Sequence, residues 1–322
     1  MRAAVITAHG DPDCVRLEEV AEPTVAADEV LVRLEAAGLN FHDIIERRSG
    51  YPGQPNPPIP TGLEGAGTVQ AVGSGVSGFA VGDRVVWGAV PASHAELVAV
   101  PARDAIPVPG GVSASLAAAV CAQGLTAHYL ATSLRTAAAG DRALVWGAAG
   151  GVGRLLTQML STAGVRVLAA VSTAEKAAIA RTAGAEDVVL NSEVAAAVAR
   201  LTDERGMDVV YDGVGAPTFD VSLASVRSRG LLVVYGRAGG QVPPVDLFRL
   251  SSAGSVQLVR PRLVDFVASR TELLERAQDV FAWLAAGRIS ALIGAAIPLS
   301  EIAEAHALLE SRAVCGKVVL VP

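Results

Sequence analysis

The stretch Ala143-Leu-Val-Trp146-Gly147-Ala-Ala-Gly150-Gly151-Val152-Gly153-Arg-Leu-Leu decides the fold of this chain. Four apolar residues run into a glycine-rich turn, and a helical stretch over residues 154–163 follows. That order reads as buried strand, tight turn and helix. Glycines in such a turn let the backbone approach a pyrophosphate and let the helix pack on the strand. The phosphates then meet unpaired N–H groups at the positive end of the helix dipole. One departure is visible: aligned on G-x-G-x-x-G, the first glycine is Ala148.

Working outward, the same rhythm repeats. Gly164 fits a helix C-cap, and Val165-Arg-Val-Leu-Ala-Ala-Val171 reads as the next strand. Ser172-Thr-Ala-Glu175 has capping-box spacing and opens a helix that Gly184 ends. Asp187-Val-Val-Leu190, Met207-Asp-Val-Val-Tyr211 and Leu231-Leu-Val-Val-Tyr235 continue the series. Strands alternating with helices predict a parallel, doubly wound α/β sheet. The first hundred residues differ. Glu29-Val-Leu-Val-Arg-Leu34, Gly67-Thr-Val-Gln-Ala-Val72 and Asp83-Arg-Val-Val-Trp87 are short β runs bounded by Gly and Pro, which predicts a small irregular barrel. Residues 51–60 form a proline-rich loop. Past residue 260 the pattern is helical over 271–286 and 300–311, and Lys317-Val-Val-Leu-Val321 reads as a closing strand.

With 322 residues, two domains are expected, at roughly 100–200 residues each. Hydrophobic residues make up 51% and charged residues 18%, with a mean hydropathy of +0.43, which excludes disorder. The net charge of −6 argues against a nucleic-acid partner. Residues 105–134 carry no Asp, Glu, Lys or Arg, but prolines, glycines, Gln123 and His128 interrupt them. They read as a buried helix rather than a membrane span. No signal-peptide pattern opens the chain, so the expectation is a soluble, cytoplasmic protein. Three scattered cysteines, Cys14, Cys121 and Cys315, exclude a disulfide framework and any four-cysteine metal site.

The end of the second strand of the nucleotide unit chooses the cofactor. NAD sites place a carboxylate there to hold the ribose hydroxyls. This chain has Val171-Ser172-Thr173, then Glu175 and Lys176. A hydroxyl and an ammonium without a carboxylate suit a 2′-phosphate and predict NADPH. The plainer reading makes Ser172 an N-cap and Lys176 a solvated side chain.

These residues, together with Ala37-Gly-Leu-Asn40-Phe-His-Asp43, Arg47-Arg-Ser-Gly-Tyr51, Pro60-Thr-Gly-Leu-Glu64-Gly-Ala-Gly67 and Val72-Gly-Ser-Gly75, form a larger pattern. Val81-Gly-Asp-Arg-Val85, Gly124-Leu-Thr126-Ala, Tyr211-Asp-Gly-Val-Gly215, Arg260-Pro261 and Glu310-Ser-Arg-Ala313 complete it. In this combination and order the chain resembles, over essentially its whole length, the zinc-independent quinone oxidoreductase (zeta-crystallin-like) branch of the medium-chain dehydrogenase/reductase superfamily.

The resemblance implies a GroES-like β-barrel catalytic domain over residues 1–121, completed by 262–322, and a Rossmann NADPH-binding domain over 122–261. It implies a homodimer through nucleotide-domain edge strands, here Ser255-Val-Gln-Leu-Val259, which reads equally as an internal strand. Zinc members place ligands where this chain has Asn40 and Leu63, so no metal is expected. Hydride from NADPH would then reduce a quinone or enone that is already electron-poor.

On the catalytic side, the resemblance points to Asn40, Asp43 and Tyr51. Asn40 reads equally as a barrel-turn residue, Asp43 as a local cap and Tyr51 as a packed loop aromatic. Ile45 replaces a tyrosine found in many relatives, and Gln123 a lysine found in some. Around the cofactor it implies Thr126 at the nicotinamide amide and Gly150, Gly151, Val152 and Gly153 at the pyrophosphate. Ser172, Lys176 and Arg312 are expected at the 2′-phosphate. Gly215, Tyr235, Gly236 and Arg237 line the groove, and Arg260 lies at the cofactor or the substrate mouth. Asn191 stands where relatives often have a tyrosine or histidine, and an amide cannot stack on adenine as an aromatic ring does. Two further readings remain at this stage: an enoyl reductase acting on acyl-carrier or coenzyme A thioesters, and a non-catalytic NADPH-binding protein.

Overall fold

The computed structural model describes residues 1–134 and 137–322. The chain divides into two compact units. The first comprises residues 1–123, 268–281 and 291–322; the second comprises 124–267 and 282–290.

In the first unit the strand Glu29–Leu39 is central. It pairs antiparallel with Gly65–Val72 and Leu97–Pro101 along its first part, and with Lys317–Val321 along its last residues. Its beginning alternates, with Val30, Val32 and Leu34 buried and Arg33 exposed, as one face meets the core. From Ala36 to Leu39 every residue is buried, on both faces of the strand. The sequence pattern stopped this strand at Leu34. Ala36-Ala37-Gly38 has poor β-propensity, and pairing overrides it. The sheet runs on through Arg84–Trp87 to Ile106–Pro107, and Ile293–Pro298 joins its far side parallel to Lys317–Val321. A second, three-stranded antiparallel sheet joins Val15–Glu19, Arg2–Ile6 and Ile59–Pro60. Trp87, Val98, Ile302, Leu309 and Leu320 fill the core between these elements.

The second unit holds six parallel strands in the order Asp187–Leu190, Arg166–Val171, Arg142–Trp146, Met207–Asp212, Val226–Val234, Gln257–Val259. The four central strands are mostly buried on both faces, which explains their continuous apolar runs. Helices Gly151–Thr162, Ala174–Thr182, Val194–Thr202 and Phe219–Ser225 connect successive strands. This is the doubly wound α/β sheet that the sequence predicts. Its order reverses between Arg142–Trp146 and Met207–Asp212, the switch point where such sheets bind ligands. Among the described residues no helix is long and apolar enough to cross a membrane.

One local expectation is corrected. Ser172 does not cap the helix Ala174–Thr182: Thr173 does, its hydroxyl accepting from the Lys176 N–H at 3.4 Å. The strand ends at Val171, and the extra residue before the cap leaves Ser172 exposed.

Candidate active site

Within the second unit the glycine turn closes on itself. The Gly150 N–H donates to the Gly147 carbonyl at 2.9 Å, and the Gly147 and Ala148 N–H groups both donate to the Ala170 carbonyl. The turn is thereby tied to the end of the neighbouring strand, where Val171 and Ser172 stand. Helix Gly151–Thr162 begins directly after Gly150, a cap with no side chain to offer. The first-turn N–H groups of Gly151, Val152 and Gly153 therefore have no capping acceptor and keep the dipole end open for an anion. Gly153 is required by space: a Cβ there would lie 2.4 Å from the Gly147 carbonyl oxygen. These features fit a pyrophosphate.

At the adjoining strand end the Lys176 ammonium donates to the Ser172 hydroxyl at 3.1 Å. A hydroxyl and a cation thus stand together where NAD sites carry a carboxylate, a donor pair that fits a phosphate. Asn191 is exposed in the short turn Asn191–Glu193 after strand Asp187–Leu190. Thr126 is half-buried on helix Ala114–Thr132. Arg312 belongs to the first unit, in a left-handed turn after helix Ile302–Glu310.

Across the switch point a buried carboxylate organises the next loop. Asp212 is fully buried and accepts from the N–H groups of Val214 (2.8 Å) and Gly215 (2.9 Å), and from the hydroxyls of Thr218 and Ser222 (2.7 Å). The Tyr235 N–H donates to the Asp212 carbonyl at 2.9 Å, which locks the 235–237 turn beside it. Gly236 lies against Gly213: a Cβ on Gly236 would be 2.3 Å from the Gly213 oxygen. Arg237 donates to Gln241 at 3.2 Å, and Arg260 to the carbonyls of Tyr235 (2.9 Å) and Pro261 (3.0 Å). The sequence reading quoted the segment 211–215 but missed Asp212 as the residue that sets it. The signal was available: a lone carboxylate at the C-terminal end of an otherwise apolar strand.

In the first unit Asn40 closes the strand Glu29–Leu39 and stands at the N-cap of helix Phe41–Ser49. Its backbone N–H donates to Asp43 Oδ2 at 2.7 Å. Asp43 is fully buried, and that burial pushes its carboxyl up to about 7. The Asn40 amide Nδ2 donates to the Gly38 carbonyl (3.1 Å) and to Glu64 Oε2 (3.2 Å). Glu64, also fully buried, accepts from the Ala122 N–H through Oε1 (2.6 Å) and from the Lys317 ammonium through Oε2 (2.5 Å). Lys317 donates as well to Asn40 Oδ1 at 2.8 Å. Tyr51 stacks on His42 with ring centroids 4.3 Å apart. Lys317 is the second residue that sequence reading missed, since a lysine opening an apolar strand carries no local mark of burial.

Known proteins share this architecture. Residues 26–110 match the family described as alcohol dehydrogenase GroES-like domain, and residues 183–320 the family described as zinc-binding dehydrogenase. A quinone oxidoreductase of Pseudomonas aeruginosa is 38% identical over 98% of both chains. A 2-haloacrylate reductase of a Burkholderia species is 34% identical over 99% of this chain and 98% of its own. The structure of the mycobacterial protein Rv1454c complexed with NADPH superimposes with a TM-score of 0.96 at 41% identity, covering all of both chains.

Zinc does not fit the residues present. Asn40 and Leu63 supply an amide and an alkyl group, and both oxygens of Glu64 are engaged, one of them by an ammonium ion. Among the described residues no group of three or more His, Cys, Asp and Glu is placed to hold a metal ion.

Proposed function

This chain belongs to the quinone oxidoreductase branch of the medium-chain dehydrogenase/reductase superfamily and is an oxidoreductase, and from that premise we propose that it reduces quinones or other conjugated carbonyls (enones) with NADPH, without zinc. The observation that carries the reading is the uncapped glycine turn lying beside a strand end that bears Ser172 and Lys176 in place of a carboxylate.

In this reading Gly150, Gly151, Val152 and Gly153 hold the pyrophosphate through backbone N–H groups, and Ser172, Lys176 and Arg312 receive the 2′-phosphate. Asn191 faces the adenine end, Gly215, Tyr235, Gly236 and Arg237 line the groove, Thr126 holds the nicotinamide amide, and Arg260 braces the 235–237 turn. Bound NADPH supplies a hydride to an acceptor that is already electron-poor. The protein's part is to orient donor and acceptor and to offer hydrogen bonds to the oxygen that gains negative charge. Tyr51 brings a hydroxyl to the substrate side. Asn40 and Asp43 act together: the buried Asp43 holds the backbone of Asn40 and does not itself meet the substrate. Names of similar proteins support the acceptor class, since both a quinone and a 2-haloacrylate carry a carbon–carbon double bond conjugated to a carbonyl. We further propose a homodimer through the sheet edge at Gln257–Val259, and a cytoplasmic location, in keeping with three free cysteines.

The test is NADPH oxidation with 1,4-benzoquinone, 9,10-phenanthrenequinone, a simple enone and crotonyl-CoA. Turnover with a quinone or the enone is expected. Turnover confined to crotonyl-CoA, or none with any acceptor, overturns the substrate reading, and preference for NADH overturns the role of Ser172 and Lys176.

A further inference from the structure

Lys317 is 2% exposed and Glu64 is fully buried, yet the two form an ion pair at 2.5 Å. Burying two charges costs several kcal/mol each, and an apolar pair of similar volume is often as stable. Stability alone does not account for this pair. The geometry around the ammonium is specific: it has three protons and meets three acceptors. Two are Glu64 Oε2 at 2.5 Å and Asn40 Oδ1 at 2.8 Å. The third is the Gln123 amide: with its oxygen and nitrogen assigned from their surroundings, the oxygen accepts from Lys317 Nζ at 2.5 Å and the nitrogen donates to the Ala119 carbonyl at 3.0 Å, whereas in the opposite assignment the nitrogen donates to Asn40 Oδ1 at 2.9 Å. The acceptors come from three separate stretches of chain. Gly38 makes the approach possible, because a Cβ there would lie 2.3 Å from Glu64 Oε2 and 2.7 Å from Lys317 Nζ.

The consequence falls on Asn40. Its Oδ1 is held by Lys317, and its two Nδ2 protons by Gly38 and Glu64. The amide has one orientation, and the start of helix Phe41–Ser49, which leads to Tyr51, is fixed with it. We propose that Lys317 is a positioning residue for hydride transfer, its ammonium locking Asn40, Glu64 and Gln123 into the single arrangement that presents the acceptor to the cofactor. This inference rests on the reductase reading above and on Asn40 standing at the substrate side.

The competing role is charge neutralisation of Glu64 alone, and variants of the full-length enzyme separate the two. Lys317→Met leaves Glu64 buried and unpaired, so it lowers Tm as well as kcat. Lys317→Met with Glu64→Gln removes both charges and recovers Tm. If Lys317 positions, kcat in the double variant stays down by about tenfold, the primary isotope effect with deuterated NADPH increases, and NADPH affinity is unchanged. Wild-type kcat and isotope effect in the double variant, or in Lys317→Met alone, overturn the inference. If neither variant folds, Gln123→Leu decides: a several-fold loss of kcat supports positioning, and wild-type kcat overturns it. A wild-type enzyme inert towards every acceptor overturns the reductase reading and this inference together, whereas an active wild type matched by the double variant overturns this inference alone.

Discussion

Around the glycine turn the groups on offer in the proposed cofactor site are backbone N–H donors, brought together by seven consecutive residues, 147–153, and a helix that starts where a side-chain cap is missing. Around Lys317 the groups are the charged and amide side chains of Asn40, Glu64, Gln123 and Lys317 itself, with the Gly38 carbonyl beside them, and every one of the side chains is wholly or largely out of water. The first arrangement works because a helix end is electropositive whatever its sequence. The second works because each charge has a partner, and it fails when any one is lost. The first is therefore expected to depend chiefly on its glycines, and the second on each of its members.

The sharpest way to break the comparison is Gly153→Val. The added side chain meets the Gly147 carbonyl, which is backbone and cannot swing aside. Overpacking of this kind costs about 3 kcal/mol of folding stability, and because the shifted turn no longer presents its N–H groups to the phosphates, the NADPH dissociation constant is expected to rise by about tenfold or more, a loss of about 1.4 kcal/mol of binding. Fluorescence titration of NADPH reads this directly, and affinity within threefold of wild type removes the turn as the cofactor cradle. Gly38→Ala is the counterpart in the other unit. Its Cβ meets flexible side-chain ends, so the expected loss is smaller, about 2 kcal/mol of stability. Thermal unfolding shows the drop, and kcat falls several-fold while NADPH affinity holds. A fall in NADPH affinity equal to the fall in kcat would remove the distinction between the two regions.

The smallest effect is the most specific. Asp43 releases its proton near 3.8 in the unfolded chain but at about 7 in the folded protein, because burial disfavours its charge. Between those values the folded state binds more protons, so this contribution to stability falls as pH rises through the window. Burial also lowers His94 to about 4 and His306 to about 3 from 6.5, and these contribute the opposite slope, losing stability as pH falls below 6.5. Asp43→Asn keeps an oxygen for the Asn40 N–H and leaves both histidines in place. Its Tm relative to wild type is expected to rise by a few degrees between pH 5 and 8, at about 2–4 °C per kcal/mol. Parallel Tm curves for the two proteins across that range would show that Asp43 ionises in the folded state as it does when unfolded.

Much of the nucleotide unit is legible residue by residue. The apolar run at 143–146, the glycines after it and the alternation that follows are local signals, and local geometry is what a turn and a buried strand obey. Where reading failed, a distant partner intervened. Strand Glu29–Leu39 runs five residues past its pattern because Ala37 to Leu39 pair with Val318 to Leu320. Thr173 replaced Ser172 as a cap because the sheet ends one residue before it. Asp212 was within a quoted motif, yet the four donors that meet its carboxylate, from Val214 to Ser222, come together only when the loop folds back over it.

The sequence by itself determined the parallel sheet, the glycine turn after its first strand and the carboxylate-free strand end, since periodicity, glycine placement and charge type are properties of neighbouring residues. Through the family resemblance it also set Asn40 and Leu63 where zinc members place ligands, so that no metal was expected there. Only the tertiary structure decided what occupies that place instead. Lys317 and Glu64 are 253 residues apart in the chain, and a lysine looks the same in sequence whether solvated or buried. Its partners are chosen by sheet register: Val319 sits opposite Gly38, the strand passes with no Cβ in the way, and the ammonium reaches Asn40.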